Sequence, residues 1–259
     1  MALWIGSYAH LAAQITYQSV PDANPGRPTV STPATLTPVG YLQFETGVQG
    51  AWHSAEFSTL LAVNQVTKLT VLPRVELLLA SAPAIYTNGG MDTKILPGEV
   101  FAGVQGVVLS GHGPHPTISV SYIRRLHASS APDLDIGTFS QSGILLVSSD
   151  VWGFHIDTNG IISEQVEGTA RRAQSGQTLC ISRAWKRLTI SGEMWHFSQP
   201  FLDSNAIGNL WAASYAVRRN LIIDTGFNRG LTHSSTRWEA FAGFTYLLPR
   251  RLWSKRRAP

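Results

Sequence analysis

The sequence predicts an all-β protein: a transmembrane, antiparallel, up-and-down β-barrel of about 12 strands, with short periplasmic turns and longer extracellular loops. Apolar and polar residues alternate with a period of two from about residue 39 to the C-terminus. Only 14% of the 259 residues are charged, and no apolar run reaches the ~18 residues of a membrane-spanning helix. A barrel wall suits such a chain because alternate side chains face lipid and lumen.

The first and last runs show this alternation most clearly. Between residues 41 and 52, Gln43 and Glu45 alternate with Phe44 and Val48, and residues 238–248 repeat the pattern. Such alternation indicates a strand with one apolar and one polar environment. Ten further strands are predicted at residues 56–65, 69–80, 99–109, 117–126, 142–149, 152–162, 177–183, 188–197, 210–217 and 221–228.

The links between these runs alternate in length. Short links are predicted at residues 66–68, 111–116, 150–151, 184–187 and 218–220, and longer links at 81–97, 127–141, 163–176, 198–209 and 229–236. Outer-membrane barrels place short turns in the periplasm and long loops outside. Pro73 falls inside the third predicted strand, where proline removes a ladder hydrogen bond, so either a bulge lies there or the register of this strand differs from the prediction.

Four segments follow from this pattern. Residues 1–13 are expected to be a weak or truncated signal segment, because they contain an apolar stretch but no lysine or arginine. Residues 14–38 are rich in Pro and Thr and are predicted to be an extended periplasmic lead-in. Residues 39–253 form the barrel, and residues 254–259 form a basic periplasmic tail.

Aromatic residues gather near the ends of the predicted strands. Trp and Tyr favour the boundary between lipid and water, so these residues are interpreted as aromatic girdles. The set is Trp52, Phe57, Trp152, Phe154, Trp185, Trp195, Phe197, Trp211, Tyr215, Trp238, Tyr246 and Trp253.

Polar residues on the other strand face are predicted to line the lumen. They are Glu45, Arg74, Glu76, Glu99, Gln105, Arg125, His155, Asp157, Asn159, Glu193, Asp224, Asn228, Arg237 and Glu239. Charged rings of this kind tune the selectivity of a pore. The same residues could instead form a paired network that fills a narrow barrel, so the sequence leaves open both a pore and a closed lumen.

Few residues suggest catalysis or metal binding. His155 and Asp157 share a strand face and could form a general base, but no G-x-S-x-G pattern provides a nucleophile. The pair His112 and His115 lies among Gly and Pro and indicates a turn rather than a metal site. Cys180 is the single cysteine. We therefore predict no enzyme activity, no cofactor and no metal.

The net charge of +4 comes from basic residues scattered between apolar runs. Nucleic-acid binding requires basic residues clustered on one face. The distribution therefore argues against nucleic acid as a partner.

Several short motifs resemble the outer-membrane "transporter" family, known as MetA-pathway of phenol degradation proteins. They lie at residues 27–28, 37–47, 74–77, 150–154 with Asn159, 224–232 and 242–248. The resemblance implies a barrel in the bacterial outer membrane for passive passage of small, hydrophobic or aromatic compounds. The expected partners are outer-membrane lipid and lipopolysaccharide, a small-molecule solute and the barrel-assembly machinery.

Two alternatives remain open from the sequence. One is an outer-membrane lipid hydrolase that uses His155 together with an unidentified serine. The other is a soluble, secreted β-sandwich that acts as a binding module, since such a fold also shows many short strands.

Overall fold

The computed structural model describes residues 20–54, 57–88, 93–131 and 139–253, with Thr93 and Lys94 described by their backbone alone. Thirteen strands occur in this part of the chain. They are β1 (Leu42–Trp52), β2 (Thr59–Leu72), β3 (Val75–Asn88), β4 (Thr93–Leu96), β5 (Val100–Leu109), β6 (Thr117–His127), β7 (Phe139–Val151), β8 (Phe154–Glu167), β9 (Ala170–Trp185), β10 (Leu188–Gln199), β11 (Ser204–Arg218), β12 (Leu221–Gly230) and β13 (Trp238–Leu247).

The strands form one closed antiparallel sheet. Each long strand pairs with its neighbours in the chain, and the barrel closes where β1 pairs with β13, with Trp52 opposite Trp238. The four-residue β4 pairs only with the end of β3, so it is an appendage of the wall. The remaining 12 strands make the barrel, which confirms the predicted fold class. No helix in the described residues is long and apolar enough to cross a membrane.

The two faces of the wall reverse the burial pattern of a soluble protein. On β1, Glu45 is 2% exposed whereas Val48 is 58% exposed, and on β10 Glu193 is 3% exposed whereas Met194 is 48% exposed. Exposed apolar side chains and buried carboxylates suit lipid outside and a polar interior. The two-sheet sandwich considered from the sequence is wrong, because the described strands form a single closed sheet.

The predicted strands are present, but several extend further at the extracellular end. The link predicted at residues 163–176 is a tight turn at Gly168-Thr169, since β8 runs to Glu167 and β9 begins at Ala170. Strand pairing continues there after the hydrophobic alternation fades, because beyond the membrane both faces of a strand meet water. Several extracellular links are therefore shorter than predicted, because the strands on either side of them are longer than predicted.

The hairpin between β2 and β3 also differs from the prediction. Residues 66–68 are not a turn, since β2 continues to Leu72 and the chain reverses at Pro73-Arg74. Proline has a fixed φ and no N–H group, and both properties suit the corner of a turn. The bulge predicted as one alternative at Pro73 is thus wrong, and the register shifts on this hairpin lie between Val63 and Gln65 and between Thr70 and Leu72.

The aromatic residues divide into two groups. Trp52 and Trp238 lie at the extracellular end of the wall, and Trp152 and Trp185 lie at the periplasmic end, as the girdle interpretation requires. Three of the predicted girdle residues are instead buried inside the barrel, namely Phe57, Trp195 and Phe197. For Trp195 and Phe197 the reason is parity, because they share the face of Glu193 on β10.

The described part of the segment predicted as a periplasmic lead-in lies largely inside the barrel, in the lumen that the strands surround. Residues 20–41, which we call the luminal segment, contact the interior faces of the strands. The predicted signal residues 1–13 and the basic tail 254–259 lie outside the described residues.

Candidate functional site

The luminal segment enters and leaves the barrel at its periplasmic end. The N–H of Ala23 donates to the carbonyl of Arg219 in the β11–β12 turn at 2.8 Å, and the N–H of Gly40 donates to the carbonyl of Thr70 near the end of β2 at 2.8 Å. The Asn24 amide donates to the carbonyl of Thr35 at 2.8 Å. Residues 24–35 therefore form a loop closed on itself inside the lumen.

The luminal segment, which includes this loop, makes almost a complete circuit of the inner wall; Thr37, beyond the loop, makes the contacts with β2 and β3. The hydrogen bonds from the luminal segment reach ten of the twelve wall strands. The partners are Gln43 on β1, Thr70 on β2, Glu76 on β3, Gln105 on β5, Ser119 on β6, Ser148 on β7, Asn159 on β8, Thr178 on β9, Glu193 on β10 and Asp224 on β12.

Wall carboxylates hold the backbone of the loop. Glu193 accepts the N–H groups of Val30 at 2.7 Å and Ser31 at 2.6 Å, together with the Ser31 hydroxyl at 2.5 Å. Glu76 accepts the N–H and hydroxyl of Thr37 in the same manner. An extended segment inside a barrel has no strand partner for its N–H groups, so acceptors on the wall must satisfy them.

Amide and hydroxyl groups of the wall hold the next residues of the loop. Asn159 accepts the N–H of Thr32 at 2.7 Å and donates to the Thr32 carbonyl at 2.9 Å, which mimics a pair of ladder hydrogen bonds. Ser148 accepts the N–H of Ala34 at 2.7 Å, and Ser119 donates to the Ala34 carbonyl at 2.5 Å. The backbone of the loop is thus fixed by the wall on several sides.

Among the described residues, three ion pairs of arginine or lysine with a carboxylate compensate charge in the interior. Arg27 of the loop contacts Asp224 through Nη2 at 3.1 Å, and Lys68 Nζ lies 2.6 Å from Glu45. Glu99 and Arg125 form a third pair, also at 2.6 Å, towards the extracellular end. Such charges require a partner when they leave water, so the pairs account for their presence in a nearly closed interior.

The length of the closed loop limits the opening that it can surround. Eleven residue steps separate Asn24 from Thr35, and at most ~3.4 Å per step gives about 37 Å of backbone. The side-chain hydrogen bond that closes the loop adds roughly 8 Å, so the distance between opposite backbone traces is at most about 14 Å. Side chains reduce this opening further. The loop therefore narrows the described part of the lumen.

A cavity of about 160 Å³ lies between this constriction and the wall. The cavity lies next to β11 and β13, the two wall strands to which the hydrogen bonds described above do not extend. Its lining combines polar and apolar groups: Arg27, Pro28, Thr29, Val30, Gln49, Leu210, Asn228, Glu239 and Phe241. It offers a polar and apolar surface beside the constriction.

The extracellular mouth contains an apolar cluster. Phe57 and Ala131 come from the links that follow β1 and β6, and they pack with Leu60 and Ile85 on the inner wall. The described part of the lumen therefore combines apolar groups with the Glu99–Arg125 ion pair near this mouth.

Most of the residues predicted for the lumen do face it. Those on interior faces or at the interior ion pairs are Glu45, Glu76, Glu99, Gln105, Arg125, His155, Asp157, Asn159, Glu193, Asp224, Asn228 and Glu239. Two predictions are corrected, since Arg74 lies exposed in the β2–β3 turn and Arg237 lies exposed in the link before β13. Both residues lie next to a strand end, where an error of one residue in the predicted strand boundary places a turn residue in the lumen.

The histidine considered as a general base lies in a different arrangement. His155 contacts Asp150 through Nδ1 at 2.7 Å and Asp157 through Nε2 at 3.3 Å. Ser148 donates to Asp157 at 2.5 Å rather than to the imidazole. A nucleophilic serine must lie beside its base, so this arrangement does not support a serine hydrolase.

The other candidate chemistry is also accounted for by local structure. His112 and His115 lie in the turn between β5 and β6, where the His115 N–H donates to the His112 carbonyl at 3.2 Å. No group of three metal-ligating side chains occurs among the residues that the structure describes. Cys180 is buried on β9.

Sequence reasoning missed the luminal half of this site. Arg27, Ser31, Thr32 and Thr37 lack the period-two pattern that marks a wall strand. A signal was available, because the predicted lumen contained more carboxylates than cations. Buried carboxylates need donors, and the excess indicated that another segment supplies N–H groups.

Comparison with solved structures supports the fold. The NanC porin matches with a TM-score of 0.55 at 9% identity, over 78% of this chain and 100% of that chain. An anion-selective porin from Comamonas acidovorans matches with a TM-score of 0.40 at 6% identity, over 80% of this chain and 98% of that chain, which is too distant to support an argument. No family model and no curated protein match the chain. The fold is that of a 12-stranded transmembrane β-barrel.

Proposed function

We propose that this protein is an outer-membrane channel in which the luminal segment forms the constriction. The observation that supports this proposal most directly is the closed loop of residues 24–35, which is hydrogen-bonded around the inner wall. A loop held against the wall in this way narrows the lumen of a barrel. The exposed apolar face of the wall supports a location in a lipid bilayer.

The proposed cargo is a small solute. An opening of at most about 14 Å between backbone traces, which side chains narrow further, favours compact compounds. The resemblance to the MetA-pathway transporter family adds small hydrophobic or aromatic compounds as the cargo to test. The apolar cluster at the extracellular mouth is compatible with an apolar part on such a solute.

The proposed partners follow from this location. They are outer-membrane lipid, lipopolysaccharide and the barrel-assembly machinery, which inserts proteins of this architecture into the outer membrane of Gram-negative bacteria. The proposal assigns the protein no enzymatic activity.

Planar-bilayer recording tests the proposal. The full chain should give small, discrete conductance steps, and a variant that lacks residues 24–36 should conduct several-fold more, because the loop is the narrowest part of the path. A matched control is Glu167→Ala, a change at the extracellular end of β8 that should leave the conductance unaltered.

Folding of each protein is checked by its migration on an unheated detergent gel. Folded full-length protein without conductance or solute flux would contradict the channel and favour a closed structural barrel. Equal conductance of the folded deletion variant and the full chain would show that the loop is not the constriction.

A further inference from the structure

The outer face of β8–β11 carries a groove near the periplasmic end of the barrel. It encloses about 400 Å³ and is lined by Phe154, Leu179, Ile181, Ser182, Arg183, Trp185, Ile190, Gly192, Glu193, Met194, Asn209 and Trp211. Leu179, Ile181 and Trp185 are between 44% and 49% exposed, so this is the lipid side of the wall.

One cation is fixed at the periplasmic end of this groove. The Arg183 guanidinium lies 5.0 Å from the ring centre of Phe154 and 5.5 Å from that of Trp185. Arginine between aromatic rings keeps its charge and its N–H donors in a defined orientation. Arg183 is two residues from the end of β9, at the depth of the lipid headgroups.

The surrounding turns add positive charge. Lys186 and Arg187 form the β9–β10 turn, and Arg218 and Arg219 lie at the β11–β12 turn. Basic residues near a membrane surface attract anionic lipid, at about fivefold in affinity for each charge. The edge of β9–β12 is therefore complementary to an anionic headgroup.

The groove itself fits an acyl chain. From Arg183 to Leu179 the strand extends about 13 Å, which at a tilt of about 40° is about 10 Å of membrane depth, and the outward side chains along it beyond Arg183 are apolar. Gly192 keeps the groove open, because a Cβ atom at this position would lie 3.1 Å from the Trp211 ring. Arg183 and the apolar groove thus form one continuous surface, which runs from the depth of the lipid headgroups into the hydrocarbon layer.

We propose that this surface is a binding site for an anionic phospholipid of the periplasmic leaflet, with its phosphate on Arg183 and one acyl chain in the groove of β8–β11. The proposal rests on the outer-membrane location proposed above. It does not require the barrel to conduct.

Native mass spectrometry of the full chain in detergent, titrated with phosphatidylglycerol or phosphatidylcholine, tests the proposal. We expect the folded protein to retain phosphatidylglycerol preferentially. Arg183→Ala should weaken that binding by about fivefold or more, and Gly192→Leu should weaken it by filling the groove while the charge is unchanged.

The matched control is Arg124→Ala. Arg124 also faces outward, but it lies on the extracellular half of β6, so its loss should leave the binding unaltered. Equal retention of the two lipids, or equal binding by Arg183→Ala and the unmodified protein, would overturn the proposal. Because the measurement is independent of conductance, its failure is distinguishable from failure of the proposed channel.

Discussion

Glu193 shows how single residues hold the constriction in place. Its carboxylate accepts three hydrogen bonds from Val30 and Ser31. The side chain is 3% exposed, and no ion pair to it occurs among the described residues. Donors from the luminal segment therefore stabilise this carboxylate, and the carboxylate in turn satisfies two backbone N–H groups inside the barrel.

Replacing Glu193 tests this reciprocal role. Glu193→Ala should lower the free energy of unfolding by at least about 2 kcal/mol, because each buried donor without an acceptor costs about 1–3 kcal/mol. Glu193→Gln should cost less, since an amide oxygen still accepts a hydrogen bond. Urea unfolding in lipid vesicles measures both, with the exposed Glu167→Ala expected to change stability by less than about 0.5 kcal/mol. Equal losses for Ala and Gln would contradict the assigned role.

At the scale of elements, the periplasmic turns determine how adjacent strands meet. Trp152 and Gly153 connect β7 to β8, and both have a positive φ, of 53° and 80°. A two-residue hairpin of this kind matches the twist of the two strands but requires left-handed backbone at both positions. Glycine adopts that conformation without steric cost.

Gly153→Ala should therefore destabilise the barrel by about 1–2 kcal/mol, the cost of a left-handed conformation for a residue with a Cβ atom. Gly160→Ala on β8 is the matched control. A Cβ atom would meet no heavy atom within 4 Å at either position, but only Gly153 has a positive φ. The difference between the two urea midpoints isolates the backbone effect, and identical midpoints would show that the turn tolerates other conformations.

At the scale of the whole molecule, closure of the sheet removes every free edge of the wall. All twelve wall strands have two neighbours, and the luminal segment binds ten of them from inside. Opening such a barrel requires many hydrogen bonds to break together in a medium without water. We therefore expect the folded barrel to resist unfolding by detergent.

We expect unheated protein in SDS to migrate faster than the boiled chain of 28.2 kDa. The compact barrel binds less detergent and retains its shape until heat breaks the wall. Gel migration before and after boiling is the measurement, with samples prepared from a membrane fraction. The same mobility in both lanes would contradict a closed barrel.

The wall could be predicted from the sequence because its signal is local. Gln43 and Glu45 alternate with apolar residues on β1, and this alternation by itself assigns them to the polar face. Strand ends were less predictable, as Arg74 and Arg237 show. Beyond the membrane both strand faces meet water, so the sequence loses its period while the backbone pairing continues.

The luminal segment could not be predicted in the same way. Residues 20–41 are rich in Pro and Thr and have no periodicity, so they appear as an extended peptide without a location. Their location depends on acceptors such as Glu76, Asn159 and Glu193, which are distant in the chain and converge only when the barrel closes. The sequence by itself determined a twelve-stranded wall with a polar interior, because side-chain parity is a local property. Only the tertiary structure decided what occupies that interior, because the hydrogen-bond partners of the luminal segment come from ten different strands.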